Sequence, residues 1–185
     1  MGFSYKINNH RGTYFITFAT VQWIDVFTRK RYVEMLLDSI KYCQKEKGLR
    51  IHAWCVMSNH VHIVASTVSE KPNLSDILRD LKKFTANKII EAIQDNQEFE
   101  SRKNWILWLF KSAGERNPNN TNYQFWQQDN HPIEIFSAKF LESKLEYIHN
   151  NPVKAGLVEE PWEYLLSSAR DYMTDRKGLL DIDFV

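Results

Sequence analysis

The sequence feature that most constrains the fold is a pair of apolar runs, residues 49–57 and 60–67, which are rich in β-branched residues. Only Ser58 and Asn59 separate them, and both residue types favour turns. Two strand-like runs joined by a short turn predict a β-hairpin. The hairpin therefore predicts an antiparallel sheet at the centre of the molecule.

The second run begins with two histidines, His60 and His62, two positions apart. Side chains at i and i+2 of a strand point to the same face, so both imidazoles would project together near the turn. The opposite face would carry the apolar residues Val61, Ile63 and Ala65. Two imidazoles on a rigid element can share one metal ion. The alternative, a pair of structural histidines, stays open at this point.

Further elements are predicted from periodicity and from turn-forming residues. They are a strand at 13–20, a helix between Thr28 and Gly48, helices at 75–93 and from Trp105 to about Gly114, a fourth strand at 123–126 or 132–136, a helix from Ser137 to Pro152, a helix at 162–172, and a tail at 178–185 that is either a strand or disordered. Hairpins combined with crossover helices indicate an α+β class, a ferredoxin-like antiparallel sheet with packed helices. A length of 185 residues without repeats predicts a single domain over residues 1–185.

The composition is that of a globular protein outside the membrane. Hydrophobic residues make up 43% and charged residues 25%, and no apolar run approaches the length of a membrane span. We therefore expect no membrane partner and a cytoplasmic location. Cys43 and Cys55 lie among apolar neighbours, which predicts reduced, buried thiols. The net charge of +1 does not by itself indicate a nucleic-acid partner.

A second motif lies in the helix that begins near Ser137. Tyr147 and Asn151 are four positions apart, so they share a face of that helix. A tyrosine phenolate is a competent nucleophile towards a phosphodiester, and an amide oxygen is a plausible metal ligand. One metal ion could therefore bind His60, His62 and Asn151 beside the Tyr147 hydroxyl.

Together these motifs resemble those of a known family. His60-Val61-His62 has the His-hydrophobe-His form of the HUH enzymes, and the segment 147–156 is similar to the catalytic-tyrosine segment of single-tyrosine HUH transposases. The match is strongest with the REP-associated tyrosine transposases. Wider phrases of that subfamily are Met57-Ser-Asn-His60, Leu81-Lys-Lys-Phe-Thr85, Phe125-Trp126 and Tyr164-Leu-Leu-Ser-Ser-Ala169. The resemblance spans residues 13–172.

This resemblance implies a metal-dependent DNA strand transferase. Tyr147 would be the nucleophile and form a 5′-phosphotyrosine, and His60 and His62 would bind Mg²⁺ or Mn²⁺. Asn151 falls where the family places an amide-bearing third ligand, although many insertion-sequence relatives have glutamine there. The implied substrate is single-stranded or hairpin DNA, and the implied location is the bacterial cytoplasm, at the nucleoid when DNA is bound. Both a monomer and a homodimer are compatible with the family.

Several side chains are candidates for DNA contacts, each with a structural alternative. Lys82 and Lys83 could bind phosphates or could lie on a solvated helix face. Trp126 could stack on an unpaired base or could close the core of the sheet. Lys154, just beyond the tyrosine motif, is a candidate contact to the DNA backbone.

Two other functions are compatible with parts of the sequence. One is a catalytically silent DNA-binding protein on the same fold. The other is a hydrolase in which His60 and His62 hold a zinc-activated water. Neither function accounts for the segment that joins Tyr147 to Asn151. The segment 94–122 matches no motif.

Overall fold

The computed structural model describes residues 7–95, 100–117, 122–128 and 131–185. Four antiparallel strands form one sheet in the order β2-β3-β1-β4, and helices pack on it. The elements are β1 (Thr13–Ala19), α1 (Lys30–Lys47), β2 (Leu49–Val56), β3 (His60–Thr67), α2 (Leu74–Gln94), α3 (Lys103–Glu115), β4 (Ile133–Ile135), α4 (Ala138–Lys154) and α5 (Ala169–Met173). The predicted α+β fold, an antiparallel sheet with packed helices, is confirmed.

The predicted hairpin is formed by β2 and β3. Its turn is closed by the amide of Met57, which donates to the carbonyl of His60 at 2.8 Å. The first strand, β1, lies on the other side of β3, with Thr17 opposite His62 and Ala19 opposite His60. Because a slip of one residue would exchange the two faces of β3, its buried residues fix this register. The register places both histidines at the rim of the sheet.

The two faces of the sheet are covered by different helices. Helices α1 and α2 cover one face and bury the main apolar core, which includes Ile16, Phe18, Val61 and Ile63. The other face carries a smaller apolar cluster that includes Phe15 and Val64 of the sheet and Ile148 of α4. The histidine pair lies on this second face, because His60 and His62 alternate with the core residues of β3.

Local signals fix the ends of several helices. Helix α2 begins with a capping box, in which the Asn73 side chain accepts from the Asp76 amide and the Asp76 carboxylate accepts from the Asn73 amide. Gly48 ends α1 in the left-handed conformation, with φ of 72°. Ser137 caps α4 by accepting from the Phe140 amide at 3.2 Å. Each cap lies within a residue or two of the predicted helix end.

The predicted end of α4 at Pro152 is wrong. The helix continues to Lys154, with Pro152 in its last turn. A proline there removes one amide donor, but it does not prevent the following amides from closing the turn. The Ala155 amide donates to the Asn151 carbonyl at 3.0 Å, and Gly156, with φ of 71°, then ends the helix.

The predicted last helix, 162–172, is also wrong in its extent. The structure has a 3₁₀ turn at Pro161–Glu163 and the short helix α5, joined by residues that bond to the sheet. The Ser168 amide, for example, donates to the Trp54 carbonyl at 2.9 Å. The tail is neither a strand nor detached, since Leu180 is buried and the Asp183 amide donates to the Ile51 carbonyl. Tertiary contacts thus determine the backbone of this region.

Other predictions concern the fourth strand, the cysteines and the membrane. The fourth strand is Ile133–Ile135, within the second of the two candidate segments. Cys43 and Cys55 are both buried and free, as predicted. Within the described ranges, no helix has the length and apolar character needed to cross a membrane.

Candidate active site

The predicted histidine pair and the predicted tyrosine meet on the α4 face of the sheet. The ring centroids of His60 and His62 are 4.7 Å apart, and that of Tyr147 is 5.3 Å from His62. Ile148 is fully buried in the apolar cluster between α4 and the sheet, and Tyr147 is the residue before it on the same helix. Phe15 lies under both, 5.7 Å from His62 and 5.8 Å from Tyr147. Residues more than eighty positions apart in sequence thus form one cluster.

In both imidazoles, Nδ1 is the nitrogen that forms a hydrogen bond. The Nδ1 of His62 lies 2.7 Å from Thr17 Oγ1, and the Nδ1 of His60 lies 2.8 Å from Asn59 Oδ1. Each oxygen can accept a hydrogen bond from Nδ1–H, and this tautomer leaves the Nε2 lone pair available. Among the described residues, the buried Nε2 of His62 has no hydrogen-bond partner. A nitrogen in this state is suited to bind a metal ion.

Burial also keeps the pair neutral. Removal from water lowers the pKa of His60, and it lowers the pKa of His62 to about 3, with the neighbouring His60 and the Lys144 ammonium adding to the effect. Both imidazoles are therefore uncharged at neutral pH, which is the form that binds metal ions.

Tyr147 is open to solvent on its outer side. Tyr147 is 41% exposed, whereas His62, which its ring contacts, is buried. Lys144 and Lys154 each place Nζ 5.8 Å from the centre of its ring. The hydroxyl-bearing ring is therefore accessible to a large substrate and is flanked by two positive charges.

Asn151 follows Tyr147 by one helical turn and is half-buried on α4. Within the described part of the chain, no group of three or more His, Cys, Asp and Glu residues is arranged to hold a metal ion. The predicted ligand set contains only two such residues, and its third donor is an amide oxygen. Two neutral imidazoles and an amide fit a divalent cation that also takes oxygen ligands from its substrate.

The predicted DNA contacts are found in different surroundings. Lys83 and Lys154 are exposed, and Lys82 donates to the Gln127 carbonyl at 2.9 Å. Trp126 is only 5% exposed, and its indole Nε1 donates to Thr85 Oγ1 at 3.1 Å. The prediction that Trp126 stacks on a DNA base is not supported, because its ring packs against aromatic core residues, which are Phe18, Phe27 and Phe125.

Two residues of this region lie outside the predicted site. Thr17 orients His62, and the alternation of β1 opposite the histidine pair is the signal that could have located it. His149 is buried, with Nε2 2.9 Å from Ser168 Oγ. Burial lowers the pKa of His149 to about 4. His149 therefore ties α4 to the segment before α5.

Comparison with known proteins assigns the chain to a family. Residues 8–108 match the family model described as transposase, IS200-like. This match covers more than half of the chain and includes the histidine pair. The chain belongs to this family. The IS200-like assignment confirms the single-tyrosine transposase family predicted from the two motifs, although α4 lies beyond the matched residues.

A solved structure shows the same fold. It is the structure of a REP-associated tyrosine transposase bound to a REP hairpin, with 19% sequence identity and a TM-score of 0.67. The alignment covers 99% of this chain and 92% of that one. No curated protein sequence matches the chain. The structural likeness therefore extends over the C-terminal part that carries Tyr147.

Proposed function

We propose that this transposase-family protein cleaves and rejoins single-stranded DNA through a covalent bond to Tyr147. The observation that carries the proposal is the contact between Tyr147 and His62, whose Nε2 has no partner among the described residues. A nucleophile beside two neutral imidazoles that can hold a metal ion is an arrangement suited to phosphodiester cleavage. A buried histidine with only a structural role would be expected to have both ring nitrogens hydrogen-bonded.

In the proposed reaction, the Tyr147 hydroxyl oxygen attacks the phosphorus of a phosphodiester. A bond forms between that oxygen and phosphorus while the bond from phosphorus to the 3′-oxygen breaks. The products are a 5′-phosphotyrosine and a free 3′-hydroxyl, which takes up the proton that the phenol has lost. A different 3′-hydroxyl then reverses the step and restores Tyr147, so no ATP is consumed.

The residues around Tyr147 have separate parts in this proposal. His60, His62 and Asn151 would hold Mg²⁺ or Mn²⁺, which supplies positive charge to the phosphate and to the leaving oxygen. Thr17 and Asn59 would hold the imidazoles in the tautomer that leaves the Nε2 lone pair available, by accepting hydrogen bonds from Nδ1. Lys144 and Lys154 lie where the DNA backbone would approach Tyr147, and would attract it without selecting its sequence.

For the substrate, we propose DNA with a hairpin and an unpaired flank. The family assignment supports DNA, and the structural neighbour is bound to a REP hairpin. The half-open Tyr147 supports an unpaired flank, since a flexible single strand can bring its phosphate against a ring at the rim of a sheet. By family, the place of action would be the cytoplasm of a bacterium.

The test is to incubate the protein with hairpin-bearing single-stranded DNA and Mn²⁺, then to separate denatured products by electrophoresis. The proposal predicts a protein–DNA adduct that is lost in Tyr147→Phe and in the double variant His60→Ala, His62→Ala. An unchanged adduct in either variant would rule out the assignment.

The same assay separates the two other functions. A catalytically silent DNA-binding protein would bind the hairpin and give no adduct with any metal ion. A zinc hydrolase would cleave DNA in the Tyr147→Phe variant as efficiently as the unaltered protein does.

A further inference from the structure

An exposed tryptophan stands beside the candidate active site and is not part of the proposed reaction. Trp23 lies in the connection between β1 and α1, and its indole meets the His60 ring edge-on with centroids 5.6 Å apart. The side chain is nevertheless 54% exposed. Such a large aromatic surface contributes little to the core when more than half of it remains in water.

The backbone at this point adopts an unfavourable conformation. Gln22 has φ of 52° and Trp23 has φ of 54°, so two consecutive residues with side chains occupy the left-handed region. Within the described residues, His131 is the only other residue besides glycine with positive φ. Strained conformations of this kind persist where neighbouring structure enforces them, and they concentrate at functional sites.

Hydrogen bonds from the hairpin turn enforce this conformation. The Asn59 side-chain amide donates to the Trp23 carbonyl at 3.0 Å. The buried Thr20 hydroxyl bonds to the Ile24 carbonyl at 2.8 Å and to the Asn59 carbonyl at 3.0 Å. Ser58 Oγ donates to Asp25 Oδ1 at 2.6 Å. Trp23 is thereby fixed to the same turn that presents His60.

Asn59 links the two features directly. Its Oδ1 accepts from His60 Nδ1, and its Nδ2 donates to the Trp23 carbonyl. One amide side chain therefore orients both the imidazole and the backbone that carries the exposed indole. A surface tryptophan without a function would not need to be held in register with a histidine of the proposed metal site.

We infer that Trp23 is a stacking platform for an unpaired base of the DNA, next to the phosphate that Tyr147 attacks. This inference rests on the proposed function. Unpaired bases expose flat apolar faces, and stacking on aromatic side chains is the usual way in which proteins bind them. Trp23 contacts His60 and Tyr147 contacts His62, so a base stacked on Trp23 would lie near the reacting phosphate. Trp23 would thus set which phosphate is attacked.

The test measures DNA binding in the Tyr147→Phe background, so that no covalent product forms. The DNA is a hairpin with an unpaired flank, and an abasic nucleotide is moved along the flank one position at a time. We expect one position at which loss of the base weakens binding about tenfold, the typical effect of losing one stacked base. Adding Trp23→Ala should weaken binding of the intact DNA about as much, and should abolish the sensitivity at that one position.

Two further variants control for the fold and for the chemistry of stacking. Trp23→Phe keeps an aromatic face and should retain most of the affinity and the same sensitive position. Tyr42→Ala removes an exposed aromatic of α1, on the other face of the sheet, and should change neither quantity. Thermal unfolding of each variant shows whether its fold is intact.

The inference is overturned if Trp23→Ala leaves binding unchanged, if its abasic profile equals that of the parent, or if the parent binds no DNA. A change in sedimentation instead of DNA affinity would overturn it in favour of a contact between two copies of the chain. The adduct assay with unaltered Tyr147 tests the proposed function separately. An adduct together with a flat abasic profile would leave that function standing and reject the role of Trp23.

Discussion

The two faces of the sheet are built from the same strands, yet they have different properties. Towards α1 and α2, β1 and β3 present Ile16, Phe18, Val61 and Ile63, all of them at most 1% exposed. Towards α4, the alternate positions of the same strands include Thr17, His60 and His62, and the cover includes the half-open Tyr147. Strand alternation thus places an apolar core and a polar site a single residue apart.

The difference shows how a small domain can hold unpaired polar groups. The apolar face supplies most of the burial that stabilises the fold. The α4 face can then keep a buried imidazole nitrogen that has no partner in the described part of the chain, which is unfavourable for folding and useful for binding a metal ion. We therefore expect substitutions in the apolar core under α1 and α2 to change mainly stability, and those of His60, His62 and Tyr147 on the α4 face to change mainly chemistry.

The largest effect on stability is expected from Ile63→Ala. Ile63 is 1% exposed in the main core, and removing its side chain leaves a cavity. The free energy of unfolding should fall by about 2–5 kcal/mol, measured by urea denaturation. His60→Ala, at the rim, should lower it by less than about 1 kcal/mol while abolishing the DNA adduct. Equal losses of stability in both variants would contradict the division between the faces.

Acid should destabilise the α4 face through His149. Its pKa in the fold is about 4, below the ordinary value near 6.5, because it is buried against Ser168. The unfolded chain therefore binds more protons between these values, and stability is lost as the pH falls from about 7 to about 4. The difference between the two pKa values corresponds to a loss of about 3 kcal/mol in the free energy of unfolding.

His149→Gln is the matched variant for this prediction. Glutamine keeps a polar group near Ser168 but does not titrate. Between pH 7 and pH 4, the unaltered protein should lose about 3 kcal/mol more unfolding free energy than the variant does. Parallel pH profiles in urea denaturation would show that His149 does not titrate in this way.

A smaller effect, confined to metal binding, is expected from Thr17→Val. Valine keeps the shape of threonine but lacks the hydroxyl that hydrogen-bonds to Nδ1 of His62. The imidazole would therefore lose the contact that orients it. Loss of such a partner typically lowers metal affinity about 10- to 100-fold. Calorimetric titration with Mn²⁺ measures it, and Thr13→Val at the other end of β1 is the control. Equal Mn²⁺ affinities for the two variants would show that Thr17 has no part in metal binding.

The smallest effect is expected from Lys154→Gln. Its ammonium lies 5.8 Å from the centre of the Tyr147 ring, on the exposed side. If it contacts one phosphate, the slope of log affinity against log salt concentration should become about 0.7 less steep with single-stranded DNA. Lys45→Gln, on α1 beneath the other face, should leave the slope unchanged. A steeper or unchanged slope in Lys154→Gln would place the DNA elsewhere.

Much of this division could be predicted from the sequence, because it follows from short-range periodicity. Two strand-like runs around Ser58 and Asn59 predict the hairpin, and the alternation of residues 60–65 predicts its two faces and the common direction of His60 and His62. The spacing of Tyr147 and Asn151 predicts a shared helix face, and the family resemblance selects Tyr147 from eight tyrosines. The alternation of β1 could place Thr17 on one face of the sheet, but only the register of β1 against β3 shows that it lies opposite His62.

The features that could not be predicted depend on contacts between distant segments. Trp126 lies in the core, where its ring packs on aromatic residues and Thr85 of α2 accepts its indole N–H. His149 is buried because the segment before α5 folds back on α4, and that same contact shortens the predicted last helix. The left-handed backbone of Gln22 and Trp23 is imposed by the turn at Asn59, and no local propensity favours it.

The most direct test of the central claim is to locate the covalent bond. The adduct formed with hairpin DNA and Mn²⁺ is digested with nuclease and trypsin, and its nucleotide-linked peptide is sequenced by mass spectrometry. Cleavage after Lys144 and Lys154 yields the peptide 145–154, which contains one tyrosine. We predict a 5′-linked nucleotide on Tyr147. A nucleotide on any other residue, or DNA cleavage without a linked peptide, would contradict the account.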